Sequence, residues 1–368
     1  MILVENLLNT LKKNKINFFT GVPDSILKIF CNFVEKLPKK KHISATNEGS
    51  AVSLGIGYYL STKNIPCIYF QNSGLSNAIN PLISIAGKEV YSIPLLLMIG
   101  WRGSPKSKDE PQHMAKGRIT PKLLKLLKIE YCILRNPNDL NKLKKLINRS
   151  KKHKKIIACL IEKNILKSRN NQKIIKNKKN NLFRKDFIEE LLKYIPKNSK
   201  IVSTTGYTSR ELMQIRKEKK LKKCKDFYMV GGMGHSSMVS LGYSLQTNQT
   251  VFCLDGDGSI LMHLGSLRTI GFNNDKKVKH VLFNNNSHES VGGQKTNAGS
   301  INFKYLVKSV GYKNYLKINK KSEIKNNIKK FIKCKGPSFL EVKIDNGTLN
   351  NLSRPKNLDN IKQKFMKK

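Results

Sequence analysis

The sequence predicts an α/β chain of two domains, each a mainly parallel sheet flanked by helices. Three observations predict it. Short apolar runs such as 66-PCIYF-70, 94-PLLLMIGW-101 and 156-IIACLIE-162 alternate with amphipathic helical patterns, the signature of strands joined by helical crossovers and buried on both faces. The alternation lapses in one Lys/Asn-rich stretch without apolar periodicity, which sets a first domain at 1–165, a linker at 166–182 and a second domain at 183–368. A length of 368 residues, 39% of them hydrophobic, is enough to build two cores.

In the first domain, Leu3, Leu7, Leu8 and Leu11 recur at helical spacing, and Ile16 to Phe19 reads as a strand. Gly21 and Pro23 then set a tight turn in which Asp24 or Ser25 can cap a helix from Ile26. The strand 42-HISAT-46 leads to Asn47-Glu48-Gly49-Ser50 and an Ala/Gly-rich helix, 51–63, whose Gly55 and Gly57 allow a close neighbour. Glu48 opens that helix. A first-turn Glu is commonly a dipole partner, and a buried one is a candidate for proton transfer. The strand 66–70 ends in 71-QNSGLSNAINPL-82, whose Gly and Asn residues suit a loop lining a site. The strand 94–101 ends in a polar, Pro-punctuated loop, 102–120, containing Asp109, Glu110 and His113; loops this long usually have a use. Helix 121–130, strand 131–135, a Lys-rich helix 137–152 and strand 156–162 complete the domain.

The second domain opens with helix 184–195 and strand 200–206, and the loop 206–209 leads to a helix at Arg210. Gly231, Gly232 and Gly234 precede a Ser-rich helix. The apolar run Val251 to Leu254 then breaks into 256-GDGS-259, passes through a helix, and returns as Val281 to Phe283 followed by Asn284-Asn285. A strand, a glycine turn, a crossover and a parallel strand bring Asp257 and the Asn pair to one crevice beside free backbone N–H groups. Hard oxygen donors there suit Mg²⁺ bridging to a diphosphate. Helices 303–312 and 322–333 and strands 315–318 and 338–344 follow.

The formal charge of +46 would ordinarily suggest nucleic acid or an acidic membrane. Here Lys is scattered with Asn and Ile over the whole chain, without a stripe interleaved with aromatics, so neither partner is expected. A positive field would still draw in an anionic substrate. The seven Cys residues form no CxxC, and Cys67, Cys159 and Cys253 sit inside apolar runs. A reduced cytoplasmic protein without a thiolate zinc site is expected. The N-terminal stretch lacks a signal-peptide layout, and Tyr91 to Trp101 is too short to span a bilayer.

The pairing of 256-GDGS-259 with 284-NN-285 resembles the signature of the thiamine-diphosphate decarboxylase and acetolactate-synthase superfamily. More narrowly, 21-GVPDS-25, 71-QNSGLSNAINPL-82, 108-KDEPQHMAKG-117, 203-STTGYTSREL-212, 231-GGMGHSS-237, 288-HESVGGQKT-296 and the ending 353-SRPKNLDNIKQKFM-366 resemble the phosphonopyruvate decarboxylases, whose close relatives act on sulfopyruvate. One departure is Asn286, where that family more often has a small residue.

The resemblance implies two thiamine-diphosphate-type domains, pyrimidine-binding then diphosphate-binding, with no central domain. It implies decarboxylation of 3-phosphonopyruvate in phosphonate biosynthesis, with thiamine diphosphate and Mg²⁺ as cofactors and sulfopyruvate as the alternative substrate. Asp257, Asn285 and the Ser287 carbonyl would hold the metal. Backbone at Gly206, Gly232, Gly256, Gly258 and Ser259 would meet the diphosphate, Met233 would support the bent cofactor, and Glu48 would bind its pyrimidine ring. Asp24, His113 and His288 are the candidates for handling the substrate's proton, with His235 a diphosphate-side contact or a packed ring. Arg102, Lys116, Arg118 and Lys295 are available for the substrate's anionic end. A homodimer or larger assembly would place Glu48 of one subunit at the diphosphate site of another.

Overall fold

The computed structural model describes residues 1–105, 109–169, 181–221 and 224–367. It divides into two units, one of Met1–Ile174 with His288–Gln294, the other of Ile175–Ser287 with Lys295–Lys368.

The first unit runs β1 (Ile2–Leu3), α1 (Val4–Lys13), β2 (Phe19–Gly21), α2 (Lys28–Val34), β3 (His42–Ser44), α3 (Glu48–Thr62), β4 (Cys67–Gln71), α4 (Leu75–Ser84), β5 (Leu96–Gly100), α5 (Pro111–Leu126), β6 (Glu130–Leu134), α6 (Asp139–His153), β7 (Ile157–Ile161) and β8 (Leu166–Lys167). Its six-stranded sheet is parallel throughout, in the order β3-β2-β4-β5-β7-β6. Alternate residues of β4 feed opposite cores: Cys67 and Tyr69 pack with α1 and α2, Ile68 and Phe70 with α3 and α4. β8 pairs with β1, Ile2 beside Leu166, so the stretch expected to be linker begins as a strand. Most of the remainder of that stretch lies outside the described residues.

The second unit runs α7 (Arg184–Tyr194), β9 (Lys200–Ser203), α8 (Tyr207–Glu218), β10 (Lys225–Tyr228), α9 (Ser236–Leu245), β11 (Val251–Gly256), α10 (Asp257–Met262), α11 (Ser266–Asn273), β12 (Val278–Asn284), α12 (Phe303–Ser309), β13 (Asn314–Ile318), α13 (Ile324–Lys333), β14 (Ser338–Lys343) and α14 (Leu358–Met366). Its sheet is also wholly parallel, ordered β10-β9-β11-β12-β14-β13. Counted from each unit's first sheet strand, both orders read 2-1-3-4-6-5. In such sheets the strand order reverses between the first and third strands, and the carboxyl ends there form a binding crevice.

Further expectations are corrected. Residues 71–82 form one 3₁₀ turn and then α4 rather than a loop. The 102–120 loop ends at Glu110, because Pro111 takes the first position of α5, where its missing N–H costs nothing. α8 begins at Tyr207 rather than Arg210, since Gly206, at φ +94°, makes the turn alone. Of the two helix glycines, Gly55 lies against the sheet, where a Cβ would come within 2.8 Å of Ile68, and only Gly57 faces open space.

Candidate active site

In the second unit, β9, β10 and β11 end side by side, and α8, α9 and α10 start from those ends. Ser259 ties the three together: its hydroxyl accepts from the Gly234 N–H (3.0 Å) and bonds the Thr204 hydroxyl (3.0 Å). Gly232 and Gly234 both have positive φ, +64° and +92°, and Met233 stands half-buried between them. His235 is exposed and stacks on His263 with centroids 4.4 Å apart. Gly256 is different. Its φ of −119° suits any residue, and a Cβ there would meet nothing within 4 Å. Neither backbone strain nor packing within this chain requires glycine, which fits a ligand lying against the turn.

Asp257, the first residue of α10, is buried. Its carboxylate accepts from the Thr296 hydroxyl (2.8 Å) and the Gly258 N–H (2.9 Å). Burial pushes its pKa up to about 6, against the pull of these donors and of the Ser287 and Asn286 N–H groups. The Asn285 Oδ1 also accepts from the Ser287 N–H (3.1 Å), so the Asp257 and Asn285 oxygens converge. Asn284 points elsewhere, donating to Glu341 (2.9 Å). Asn286 is left-handed, φ +55°, and its Oδ1 accepts from the Gly299 N–H (3.1 Å). Asn is among the few side chains that adopt this conformation readily, so the departure from a small residue is accommodated. Ser287 bridges to Lys295 through bonds of the flanking residues, including Thr296 N–H to Asn286 O (3.3 Å), which leaves the Ser287 carbonyl outside the ladder. A buried carboxylate, an amide oxygen and a carbonyl form a hard donor set that fits Mg²⁺.

In the first unit, the candidates stand at consecutive strand ends: Asp24 after β2, Glu48 after β3, Gln71 at the end of β4 and Arg102 after β5. Glu48 is buried, and α3 is capped instead by Asn47, which accepts from the Ser50 N–H (2.9 Å). The Glu48 Oε2 accepts from Asn77 (2.9 Å), and its Oε1 occupies the space where a Cβ on Gly74 would sit 2.0 Å away. Burial raises the Glu48 pKa, with Asn77 and Lys116 pulling the other way. Asp24 is buried and caps the turn before α2, accepting from Ile26 and Leu27 N–H (both 3.1 Å) and from Gln71 (2.7 Å). Burial raises its pKa as well.

His113 lies in the first turn of α5, its Nδ1 buried and without a hydrogen-bond partner among the described residues. Burial, helped by Arg102 and Lys116, lowers its pKa to about 4. His288 belongs to the His288–Gln294 segment of this unit, which Gln294 anchors by donating to Asn32 of α2 (2.8 Å). Burial lowers it to about 4 too.

Sequence comparison supplies the family. Residues 1–123 match the N-terminal and 204–342 the C-terminal thiamine pyrophosphate binding domain of thiamine pyrophosphate enzymes. Phosphonopyruvate decarboxylase of Streptomyces viridochromogenes is 31% identical over 352 residues, covering 91% of this chain and 87% of that protein. The chain belongs to the phosphonopyruvate decarboxylase family. The Streptomyces hygroscopicus phosphonopyruvate decarboxylase is 30% identical over 97% of this chain and 91% of its own length, and the sulfopyruvate decarboxylase of Methanosarcina acetivorans 25% identical over 98% and 96%. As a member of this family the protein is a thiamine pyrophosphate-dependent carboxy-lyase. Among the described residues no helix is long and apolar enough to cross a membrane.

Sequence reasoning missed how this family member supports its carboxylates. Asn77 and Gly74 lie in the segment taken for a loop, and only folding α4 against α3 shows that both serve Glu48. Beneath Asp257, the Asp255 carboxylate accepts from the Gly256 N–H (2.9 Å), His280 lies 3.4 Å from Asp255, and the Tyr312 hydroxyl bonds the other His280 nitrogen (3.0 Å). The only sequence signal for that group was two polar residues inside apolar strands.

Proposed function

We propose that this enzyme converts 3-phosphonopyruvate to phosphonoacetaldehyde and CO₂. The similarity of about one residue in three to phosphonopyruvate decarboxylases over most of both chains carries this reading. When bound, thiamine diphosphate supplies a nucleophilic carbon and an electron sink for the departing carboxyl group. Asp257, Asn285 and the Ser287 carbonyl would hold Mg²⁺. N–H groups at Gly206, Gly232, Gly258 and Ser259 would hold the diphosphate beside Gly256, and Met233 would support the bent cofactor. The Glu48 carboxyl would hold a proton at the pyrimidine ring, a task that a pKa raised by burial favours. His113 and His288, kept neutral by burial, and Asp24 would move the proton at the product carbon.

The assembly would be at least a homodimer in which Glu48 of one subunit serves the diphosphate site of the other. An unpartnered face of the first unit supports it: an open groove of about 980 Å³ between α3 and α4, lined by Gly49, Ser53, Gly57, Asn77 and Pro81, with Leu54 and Ile83 exposed beside it. Steady-state decarboxylation of 3-phosphonopyruvate and sulfopyruvate, side by side with thiamine diphosphate and Mg²⁺, tests the substrate. Preference for phosphonopyruvate is expected; equal or better turnover of sulfopyruvate would reassign the enzyme.

A further inference from the structure

Four cations were available to the substrate's anionic end, and the fold separates them. Arg102 is taken: its guanidinium grips Asp109 through Nε (2.6 Å) and Nη2, with Glu110 3.8 Å away and Ser25 accepting from Nη1 (3.3 Å). The Asp109 carboxylate also accepts from the Gly103 N–H (2.9 Å). Burial would raise the Asp109 pKa, and Arg102 overrides it and holds it low. Such a desolvated, bidentate pair does not release its charge cheaply. Arg118 is exposed on α5, and Lys295 is exposed on the second unit.

Lys116 differs from all three. It is half-buried and makes no ion pair among the described residues. It follows His113 by three positions and precedes Thr120 by four, so the three share one face of α5. Thr120 fixes where that face points: buried, it accepts from Asn72 (2.9 Å), and Asn72 also bonds the Arg102 backbone at the end of β5 (3.0 and 3.1 Å). Lys116 therefore stands over the strand ends, close enough to act electrostatically on both Glu48 and His113.

We propose that the Lys116 ammonium binds the second acidic group of the substrate, the phosphonate or sulfonate on C3, and so selects 3-substituted over plain 2-keto acids. This rests on the reading under Proposed function and names the charge that reads its substrate. The chemistry favours the non-reacting end. A cation on the departing carboxylate would stabilise charge that the transition state disperses, raising the barrier. On the phosphonate it adds binding without opposing the reaction. An ammonium is a point charge that suits a tetrahedral oxyanion from any side.

The test compares wild type, K116M and K116R as holoenzymes. Met keeps the apolar stem and removes the charge. Calorimetric binding of 3-phosphonopropionate, which has both acid groups and no keto carbon, is expected to weaken about tenfold to a hundredfold in K116M and to recover largely in K116R. The ratio of kcat/KM for 3-phosphonopyruvate over pyruvate should fall by a similar factor, chiefly through KM. Unchanged 3-phosphonopropionate binding in K116M, or equal losses on both keto acids, would overturn the proposal. If wild type decarboxylates neither phosphonopyruvate nor sulfopyruvate, the functional reading fails, and the binding comparison still decides the role of Lys116.

Discussion

Glu48 carries opposing influences on one carboxyl group. Burial raises its pKa, and the Asn77 amide, 2.9 Å from Oε2, is the largest force holding it down. Replacing Asn77 with Ala removes a donor to the charged form, so the sign is fixed: the Glu48 pKa rises further, and the limb of the pH–rate profile that it controls moves to higher pH. A profile of kcat/KM from acid to neutral pH checks this, and an unshifted limb would separate Asn77 from the chemistry. Asp257 shows the same conflict between burial and donors, and a divalent cation would resolve it by favouring the carboxylate. At this scale the sequence was legible where residue type implies chemistry. Asp257 and the Asn284-Asn285 pair stand out from their place at the ends of apolar strands, whereas the roles of Glu48 and Asn285 rest on the family resemblance. Gly74 and Asn77 do not stand out, because their meaning depends on which atom lies against them.

The elements were legible where period and length agreed. β4, β5, β7, β11 and β12 appear where apolar runs stand. The errors share a cause. Gly, Asn and Pro suggest loops in 71–82 and 102–120, although Pro111 opens α5 and Gly74 makes room for a side chain from α3. Tertiary packing, absent from local pattern, decides the first case, whereas Pro111 is itself a local signal for a helix start. That packing gives α4 and the turn before it a testable role as the wall behind Glu48. In Gly74→Ala the added methyl would need the space held by the carboxyl, so either Glu48 swings away or the wall moves. Overpacking of this kind costs about 1–3 kcal/mol, and displacing a proton-transfer group costs about two orders of magnitude in kcat or more. Ser76→Ala, on the exposed side of the same helix, should retain both stability and turnover. Thermal melts with kcat for the two variants check this, and a fully active Gly74→Ala protein would show that Glu48 needs no such wall.

The whole molecule repeats one topology with two different outcomes. Both sheets run 2-1-3-4-6-5 and present their loops at carboxyl ends. The first unit fills those ends with two buried acids, neutral imidazoles and cations; the second fills them with glycine turns, helix starts and hard oxygen donors. Two similar parallel-sheet domains are legible in the alternation of strands and helices, but their common strand order is not, since two sequences with the same order need share no residues. The division of labour was legible, because Glu48 and the GDG turn differ in chemistry. The charge of +46 is carried by lysines scattered over the whole chain and names no partner by itself. If each unit supplies half of a site completed by another subunit, chains carrying E48Q and chains carrying D257N are inactive alone but complement each other. Co-expressed, they should regain up to about a quarter of wild-type decarboxylation, because random pairing gives heterodimers in which one of two shared sites keeps both groups. Activity no higher than that of the separate variants would contradict the shared site.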